Sequence, residues 1–479
     1  ICLNQNTQEH FLKASMHSIK KEKEISKIRF RNLLNGKHRQ KIMPSKHQIE
    51  IHNKLTKKYG NKFCAAPFTS VYEGQHGKIS ICCQQTNHPI GDLATDDYTS
   101  ALNSDKAKNM RKSFMENKWP VECKSCYSQE EKGVSAASIR MFMNEKGVDT
   151  VEEVINNMEE DGTIKNQKPT WLDLLWTNKC NFSCLGCKPD LSSTIATNYK
   201  KEFALLQDHQ PEKYFPDTNG EWNNPNSQKI DYIIKHADTI KTLHINGGEP
   251  FMSEGLYELL DELIKRKLTK KIGIWSHTNG SITKTFRGKD LIHDYLVHWG
   301  DNVRITMSIE GLGQKGNYIR YGFVQNKWEE TYKKIADAKI KINTKSCANI
   351  FNSLHLLELG ERLYEINEEC NDRTYHGQLA YWWDETTRIS NINVNKATQQ
   401  TSIKQLEKII NSKFVPIGWR TDAKSVIQVL KNDVPNKRKV KALLAGIDSL
   451  DNKRKIMFDD TFPELADWKE DAYKFIQTD

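Results

Sequence analysis

The chain has 479 residues, of which 37% are hydrophobic, 9% aromatic and 28% charged. This length exceeds what one small hydrophobic core holds together, and it predicts two or three folding units. No run of about 18 apolar residues occurs, so a membrane-spanning helix of the usual length is excluded and no membrane partner is expected.

The formal net charge of +10 is concentrated at one end of the chain. Residues 1–62 carry 15 Lys and Arg against 4 Asp and Glu, which is +11, so the rest of the chain carries −1. This distribution argues against a basic nucleic-acid groove in the globular part. We expect residues 1–42 to be a disordered basic leader that folding does not require, because Met43 offers a start downstream.

Eleven cysteines need a chemical explanation. The N-terminus has polar and charged residues where a secretory signal peptide carries an apolar core, so a cytoplasmic location is expected. In a reducing compartment, closely spaced cysteines bind metals more often than they form disulfides. The cysteine clusters are therefore the candidate functional sites.

The first cluster follows an apolar, strand-like run that begins at Trp171. Its members, Cys180, Cys184 and Cys187, are spaced CxxxCxxC. Three thiolates on one loop can ligate three irons of a [4Fe–4S] cube and leave the fourth iron open. Zinc is the alternative, although the extra residue in the first gap differs from the paired CxxC of zinc knuckles.

This spacing resembles the radical S-adenosylmethionine (SAM) superfamily, whose hallmark places an aromatic residue before the last cysteine, where this chain has Leu185-Gly186. A second motif, Gly247-Gly248-Glu249-Pro250, matches the GGEP motif that binds the amino group of SAM in that family. Glycines permit close backbone approach, and a carboxylate suits an ammonium group. Alone, the Gly-Gly pair would indicate only a strand-to-helix turn.

Strand-like segments within residues 271–280, 302–311, 339–351 and 378–383 continue the pattern, and the first two are each expected to precede a helix. Such βα alternation predicts a parallel sheet with its sites at the carboxyl ends of strands. The resemblance implies an α/β fold, a partial (β/α)6 radical SAM barrel, over residues 169–395.

The resemblance also implies a SAM site at these strand ends. Ser308 and Glu310 would contact the ribose, and Thr278 and Asn279 would border the methionine moiety. Arg320 would lie near the SAM carboxylate, where a guanidinium fork suits two oxygens; a surface salt bridge is the alternative. The implied cofactor-binding residues are Gly247, Gly248, Glu249, Pro250, Thr278, Asn279, Ser308, Glu310, Arg320 and Asn349.

Four cysteines before the core form a second predicted site: Cys64, Cys82, Cys123 and Cys126. Cys82-Cys83 closes a hairpin-like stretch, and the pair at 123 and 126 is expected to end a helical stretch. Four ligands suffice for a closed cluster, with zinc as an open alternative. The layout resembles the SPASM and twitch modules, which implies a second [4Fe–4S] cluster for electron relay or substrate positioning. Cys82 is the favoured ligand and Cys83 the alternate, because strand alternation turns only one of them toward the cluster.

Other residues carry weaker signals. Aromatic residues at 381–383 could flank adenine, although aromatic strand residues more often belong to the core. Cys347 and Cys370 lack partner spacing and are expected to be buried and inert.

The predicted organisation is a leader at 1–42, an auxiliary-cluster module at 43–150, an acidic linker at 151–168, the core at 169–395 and a helical C-terminal region at 396–479. The chain's ending resembles that of twitch-type radical SAM proteins common in phage and environmental genomes.

The resemblance implies reductive cleavage of SAM to a 5′-deoxyadenosyl radical, with an electron supplied by a carrier such as flavodoxin or ferredoxin. A peptide or protein substrate is favoured by analogy, and a small metabolite, nucleotide or sugar is the alternative. A nucleic-acid-binding iron–sulfur protein that uses the basic leader is a further alternative of another class. The absence of net positive charge from the rest of the chain argues against nucleic acid as a partner.

Overall fold

The structure is a computed structural model, and it describes residues 46–131, 139–202, 226–281, 285–370, 376–381 and 387–477. The predicted basic leader and the aromatic residues Trp382 and Trp383 lie outside these ranges. Within them, every helix is too short or too polar to cross a bilayer.

A nine-stranded sheet organises the chain. Six of its strands run parallel in chain order, as the βα pattern predicts. These strands are β4 (Trp171–Thr177), β6 (Thr242–Gly247), β7 (Gly273–Thr278), β10 (Val303–Ser308), β12 (Lys341–Ala348) and β13 (His376–Tyr381). Their carboxyl ends meet along one edge, which is where the predicted SAM residues lie.

The two faces of the parallel sheet differ in chemistry, because successive strand residues point to opposite sides. One face carries fully buried apolar residues such as Leu172, Ile245 and Ile305, which share one core with the surrounding helices. The other face carries polar residues such as Asp173, and we call it the polar face.

The N-terminal module joins this sheet directly. Strand β1 (Ser70–Glu73) pairs in parallel with β4, and β2 (Lys78–Ser80) and β3 (Gly91–Asp92) extend the sheet antiparallel beyond it. The helices of the module are α1 (Lys46–Tyr59), α2 (Ala66–Thr69), α3 (Tyr98–Leu102), α4 (Asp105–Met115), α5 (Lys124–Glu131) and α6 (Arg140–Gly147). The two predicted cysteine regions are therefore parts of one sheet.

A buried ion pair crosses the boundary between module and core. Lys229 Nζ lies 2.8 Å from Glu73 Oε1, and the two side chains are 1% and 0% exposed. The Tyr98 hydroxyl donates to the other Glu73 oxygen, and the Lys229 ammonium lies 4.6 Å from the centre of the Trp176 ring. Replacing only one partner of such a pair lowers the stability of the fold, because the other charge stays buried without a counter-ion.

The predicted acidic linker contains a packed helix, α7 (Val151–Asn156). Val151 and Val154 are buried in a small core with Phe63 and Phe68 of the module. This part of the predicted linker therefore contributes to the module's packing.

The remaining helices of the core are α8 (Ser193–Glu202), α9 (Asn226–Lys235), α10 (Glu254–Lys265), α11 (Gly313–Ile319), α12 (Gln325–Asp337) and α13 (Leu356–Cys370). The helix expected after β7 is not found in the described part of that segment. A short hairpin, β8 (Thr285–Phe286) with β9 (Lys289–Asp290), is followed by a π-helical turn at Leu291–Tyr295 and two 3-10 turns before β10. Tyr295 and Trp299 of this connection are fully buried and belong to the main hydrophobic core.

The C-terminal region is helical within the residues described. Its helices are α14 (Lys396–Asn411), α15 (Ile417–Asn432), α16 (Lys437–Arg454), α17 (Phe458–Thr461) and α18 (Ala466–Gln477). Asn395 and Asn436 cap α14 and α16, because each side chain accepts from a backbone N–H of the first turn.

Candidate iron–sulfur and SAM site

The predicted CxxxCxxC loop leaves the carboxyl end of β4. A two-residue strand, β5 (Ser183–Cys184), fixes the middle of the loop by pairing with β11 (Arg320–Tyr321). The Leu185 N–H donates to the Ile319 carbonyl at 2.9 Å, and the Cys187 N–H donates to the Cys184 carbonyl at 3.1 Å. The loop is therefore held in place by a segment that lies more than a hundred residues later in the chain.

The three thiols of this loop lie in a protected environment. Burial raises the pKa of Cys180 to about 12, and the neighbouring Cys184 adds to the rise. Burial also raises the pKa of Cys184, opposed by the Arg320 cation, and the pKa of Cys187, where both other cysteines add to the rise. Free thiols would therefore stay protonated here, whereas binding of a metal cluster displaces the protons.

These cysteines fit an iron–sulfur cluster by their chemistry and their mutual electrostatic influence. Among the residues described, no three His, Cys, Asp or Glu side chains converge closely enough to hold a single metal ion. The fit therefore rests on three shielded sulfurs at one strand end, which is the ligand set of a cube with one open iron.

The glycines of the GGEP motif let the end of β6 approach the cysteine loop. A Cβ on Gly247, which has φ +141°, would lie 2.2 Å from the Thr177 carbonyl oxygen. A Cβ on Gly248 would lie 2.5 Å from the Lys179 carbonyl oxygen, and the Gly248 N–H donates to the Thr177 carbonyl at 2.6 Å. Both positions exclude a side chain because backbone lies on the other side of the gap.

Glu249 is fully buried and joins two strand ends. The Thr278 hydroxyl is 2.9 Å from both carboxylate oxygens, and the Asn279 N–H donates to Oε2 at 2.7 Å. Burial raises the pKa of Glu249 to about 7, opposed by these donors. Pro250 follows as the first residue of a 3-10 turn and is buried as well. The Glu249 carboxylate therefore accepts hydrogen bonds from Thr278 and Asn279 at the end of β7. These bonds hold the backbone of the GGEP motif against that strand end.

Asn279 extends this contact to the cysteine loop. Its Nδ2 donates to Asn181 Oδ1 at 2.9 Å and lies 4.0 Å from Cys180 Sγ. The predicted methionine-side residues are thus beside the predicted cluster.

Arg320 and Glu310 form a buried ion pair beside Cys184. Arg320 Nη2 donates to Glu310 Oε1 at 3.0 Å, and Arg320 Nη1 lies 3.7 Å from Cys184 Sγ. The two side chains are 13% and 0% exposed, so the pair is not the surface salt bridge considered from the sequence. The Cys347 N–H also donates to Glu310 at 3.3 Å, so the ion pair connects the cysteine loop to β12 as well.

Ser308 and Asn349 lie at neighbouring strand ends. Ser308 is the half-buried last residue of β10, and its carbonyl accepts from the Trp328 indole at 3.2 Å. The Asn349 amide is 1% exposed, accepts from the Phe351 N–H and donates to the Cys347 carbonyl. Asn349 therefore builds the loop after β12 with its own side chain.

Two expected burials are wrong. Cys347 is partly exposed because it lies near the end of β12 on the polar face, and Cys370 is partly exposed because it is the last residue of α13. For both, the sequence lacked a signal for exposure.

The second cysteine site lies between the hairpin and α5. Burial raises the pKa of Cys64 to about 12, with Cys126 adding to the rise. Burial raises the pKa of Cys82 and of Cys123, and Cys64 influences both. Gln85 Nε2 donates to Cys123 Sγ at 3.2 Å. The four predicted auxiliary ligands therefore share one buried region.

The CxxC of this module opens a helix, whereas the sequence predicted that it ends one. Helix α4 stops before Asn117, which has φ +55°, and Pro120 then precedes a 3-10 turn that contains Cys123. Cys126 lies in the first turn of α5. Proline and the left-handed residue break the preceding helix.

The choice between Cys82 and Cys83 stays open. Strand β2 ends at Ser80, so the alternation expected for a strand does not apply to the pair. Cys82 is influenced by Cys64 and Cys123, whereas Cys83 is influenced by Asp173 and Cys126. Each therefore faces part of the auxiliary site.

Sequence reasoning missed a polar cluster on the polar face. His244 Nδ1 lies 3.0 Å from Asp173 Oδ1, and Asn246 Nδ2 donates to the same oxygen at 2.9 Å. His277 lies next to His244, at 5.2 Å between ring centres, and burial holds its pKa well below the usual range. The alternation of polar residues along β4, β6 and β7 was the signal that could have identified this surface.

Two family models match the two cysteine regions separately. An iron–sulfur cluster-binding domain of the SPASM type matches residues 64–127, and a 4Fe-4S single cluster domain matches residues 172–298. Both descriptions agree with the two iron–sulfur regions that the sequence predicts.

Two solved structures are similar to this chain. Native anSMEcpe with bound AdoMet is 16% identical over 52% of this chain and 63% of its own, with a TM-score of 0.33. Streptococcus suis SuiB bound to the precursor peptide SuiA is 12% identical over 63% and 64%, with a TM-score of 0.33. The chain spans less than two thirds of either structure. A search of curated proteins finds no match.

Proposed function

We propose that the chain is a radical SAM enzyme that cleaves SAM reductively at the Cys180–Cys184–Cys187 loop and directs the resulting 5′-deoxyadenosyl radical to a carbon of a bound substrate. The observation that carries the proposal is the convergence of this loop, the Gly247–Pro250 turn and the Arg320–Glu310 pair at one edge of the parallel sheet. We further propose that the six parallel strands form the partial barrel of this superfamily.

The residues at the sheet edge divide the work of holding the cofactor. Cys180, Cys184 and Cys187 would ligate three irons, and the guanidinium of Arg320 would offset the negative charge of the thiolates. The glycine turn at 247–248 would present its backbone to the SAM ammonium group, because Glu249 is engaged by its own chain. The remaining proposed contacts are Thr278, Asn279, Ser308, Glu310 and Asn349.

The auxiliary site would hold a second [4Fe–4S] cluster through Cys64, Cys123, Cys126 and one of the Cys82–Cys83 pair. Four protein ligands leave no iron open, so this cluster suits electron relay or substrate positioning. Asp173 lies opposite Tyr72 in the strand register and influences Cys83, which places the polar face next to the auxiliary site.

We propose a peptide or protein as the substrate. The support is the polar face, whose partly exposed His244, Asn246 and Lys345 carry polar side-chain groups that can bond to backbone and side-chain groups alike. SuiB is bound to a precursor peptide, whereas the proposal for this chain rests on its own polar face. Modification of a small metabolite, nucleotide or sugar is the alternative.

Anaerobic cluster reconstitution tests the cofactor proposal. The full chain should bind about eight irons, and the Cys180→Ala/Cys184→Ala/Cys187→Ala variant should bind about four. The same variant should form no 5′-deoxyadenosine from SAM with dithionite as reductant. Cys370→Ala is the matched control, because this cysteine lies outside both sites, and it should retain the iron and the product.

Retained 5′-deoxyadenosine formation in the triple variant would contradict the proposal. If wild type binds about four irons and the triple variant binds none, the N-terminal site holds zinc or is empty.

A further inference from the structure

Cations outnumber carboxylates on the polar face of the sheet. Among the described side chains that the six parallel strands turn to this face, the charged ones are Asp173, Arg304, Lys341 and Lys345. The single carboxylate, Asp173, is already engaged by a histidine and an asparagine of the same face. With its histidines neutral, the face therefore carries a net charge of +2, three cations against one anion.

Lys345 is the cation of this face that lies closest to the proposed SAM contacts. It is partly exposed and stands opposite Ser308 in the strand register. Within the described part of the chain, Lys345 has no carboxylate within ion-pair distance, whereas Lys341 lies 3.7 Å from Asp301. Arg304 lies further down the face, 5.7 Å from the centre of the Trp275 ring. The Lys345 ammonium is therefore available to an anionic ligand.

The side chains around Lys345 are neutral. Gln378 stands opposite it on β13. Burial holds the pKa of His277 well below its usual value, and His244 and Lys345 add to this shift, so His277 is uncharged at neutral pH. Burial also raises the pKa of the Cys347 thiol to about 12, which keeps this thiol protonated. None of these neighbours supplies a negative charge to Lys345.

A buried acceptor precedes Lys345 on the same strand face. Asn343 is 4% exposed, and its Oδ1 has no hydrogen-bond partner among the residues described. An unpaired buried acceptor costs free energy, which a ligand N–H would recover. Asn343 and Lys345 lie about 7 Å apart along β12. One acidic residue of a peptide can bridge this spacing with its backbone N–H and its side-chain carboxylate.

We propose that Lys345 and Asn343 bind an acidic residue of a peptide substrate. The Glu or Asp carboxylate would pair with the Lys345 ammonium, and a backbone N–H would donate to Asn343 Oδ1. The proposal rests on the proposed function and specifies the substrate of that function. Because Lys345 is level with Ser308, the bound acidic side chain would lie at the height of the proposed ribose contact.

The pair of groups favours an acidic peptide over other anions. A phosphate group or a free dicarboxylate would satisfy the Lys345 ammonium, but neither carries an N–H for Asn343 Oδ1. A neutral or basic peptide would satisfy Asn343 and leave the Lys345 charge without a partner. Complementary charge and hydrogen bonding together therefore give the site its selectivity.

Titration calorimetry at low salt tests the proposal on the cluster-reconstituted full chain with SAM and without reductant, so that no turnover occurs. The probes are three blocked pentapeptides that carry Glu, Gln or Lys between two pairs of glycines. Wild type should bind the Glu peptide about tenfold more tightly than the Gln peptide, because a charged hydrogen bond replaces a neutral one. The Lys peptide should bind more weakly than either.

Two substitutions of Lys345 test the charge. Lys345→Met keeps the length of the side chain and should equalise the Glu and Gln peptides. Lys345→Glu should reverse the selectivity, so that the Lys peptide binds more tightly than the Glu peptide. Lys404→Glu is the matched control, because it reverses one exposed charge on α14, and it should keep the wild-type order.

A further substitution tests the buried acceptor. Asn343→Leu should weaken the Glu and Gln peptides by a similar factor and preserve their ratio. A Glu peptide methylated at the nitrogen of its central residue lacks the N–H that we assign to Asn343. Methylation should therefore weaken binding to wild type and have little further effect in Asn343→Leu.

Equal binding of the Glu and Gln peptides to wild type, or no binding of any peptide, would overturn the proposal. A Glu preference that survives in Lys345→Met, or that is lost equally in Lys404→Glu, would overturn it as well. Free glutarate that binds as tightly as the Glu peptide would make this a site for small anions instead of peptides.

A separate assay of 5′-deoxyadenosine formation with dithionite distinguishes this proposal from the proposed function. Product formation without a Glu preference would overturn the acidic-peptide site alone. A Glu preference without product would leave the binding site in place and overturn the proposed function.

Discussion

Arg320 Nη1 lies 3.7 Å from Cys184 Sγ while its other nitrogens hold the buried carboxylate of Glu310. The arginine therefore links the cysteine loop to the end of β10. A cation here stabilises both a thiolate and a carboxylate, and its loss would affect the two together.

Replacing Arg320 by Met should lower the free energy of unfolding by about 3–5 kcal/mol, because Glu310 is left buried and unpaired. Urea titration of the apo chain measures this change. Arg320→Met/Glu310→Gln should recover much of the loss. Lys334→Met, which breaks an exposed pair with Glu330, should cost less than about 1 kcal/mol. An equal cost for the single and double variants would show that the ion pair is not the cause.

Gly248→Ala should disrupt the cysteine loop. The new Cβ would lie 2.5 Å from the Lys179 carbonyl oxygen, so backbone must move, at a cost of about 2–3 kcal/mol. Reconstituted iron should fall by about one cluster. Gly288→Ala, whose Cβ would meet nothing within 4 Å, should keep both clusters. Full iron content in Gly248→Ala would contradict the explanation that this position must be glycine because the backbone at Lys179 lies so close.

Glu249 should make the apo chain's stability depend on pH. Its folded pKa of about 7 lies above its value of 4.5 in the unfolded chain, so the folded state binds the proton more tightly. Its contribution to stability is complete below pH 4.5 and decreases by about 3 kcal/mol as pH rises to 7.

Glu249→Gln should abolish this part of the decrease, measured as urea unfolding at several pH values between 4.5 and 7.5. Exposed Glu254→Gln is the control and should follow wild type. Parallel pH curves for wild type and Glu249→Gln would contradict the raised pKa.

The auxiliary ligand should be resolved by iron counting on Cys82→Ala and Cys83→Ala. We expect Cys82→Ala to lose about four irons, since Cys82 is buried and both Cys64 and Cys123 raise the pKa of its thiol, and Cys83→Ala to keep them. The reverse result would assign the ligand to Cys83.

Local sequence patterns predicted the parts of the site that lie on single strands. The apolar run from Trp171 predicted β4, and the CxxxCxxC spacing after it predicted the loop at its carboxyl end. Strand order followed from βα alternation, even though the connection after β7 lacks the expected helix in its described part. The matches of the two family models to residues 64–127 and 172–298 agree with both predicted iron–sulfur regions.

Contacts between segments that are distant in sequence could not be predicted from local patterns. The ion pair of Arg320 with Glu310 requires the turn of α11, and the hydrogen bond from Arg454 to the Ser183 carbonyl joins residues 271 positions apart. No periodicity encodes which carboxylate a cation will meet. The exposure of Cys347 likewise depends on which sheet face remains open, and this is set by the packing of the whole chain.

The pairing of β1 with β4 joins Ser70 to Trp171, about a hundred residues apart in the sequence. During synthesis the N-terminal cysteines leave the ribosome first, and β1 beside them can pair with β2 at once, yet its other edge remains unpaired until residues 171–174 follow. The sheet around both cysteine sites is thus completed late, when β4 arrives. Iron delivered before that moment would meet cysteines that are still accessible to oxygen.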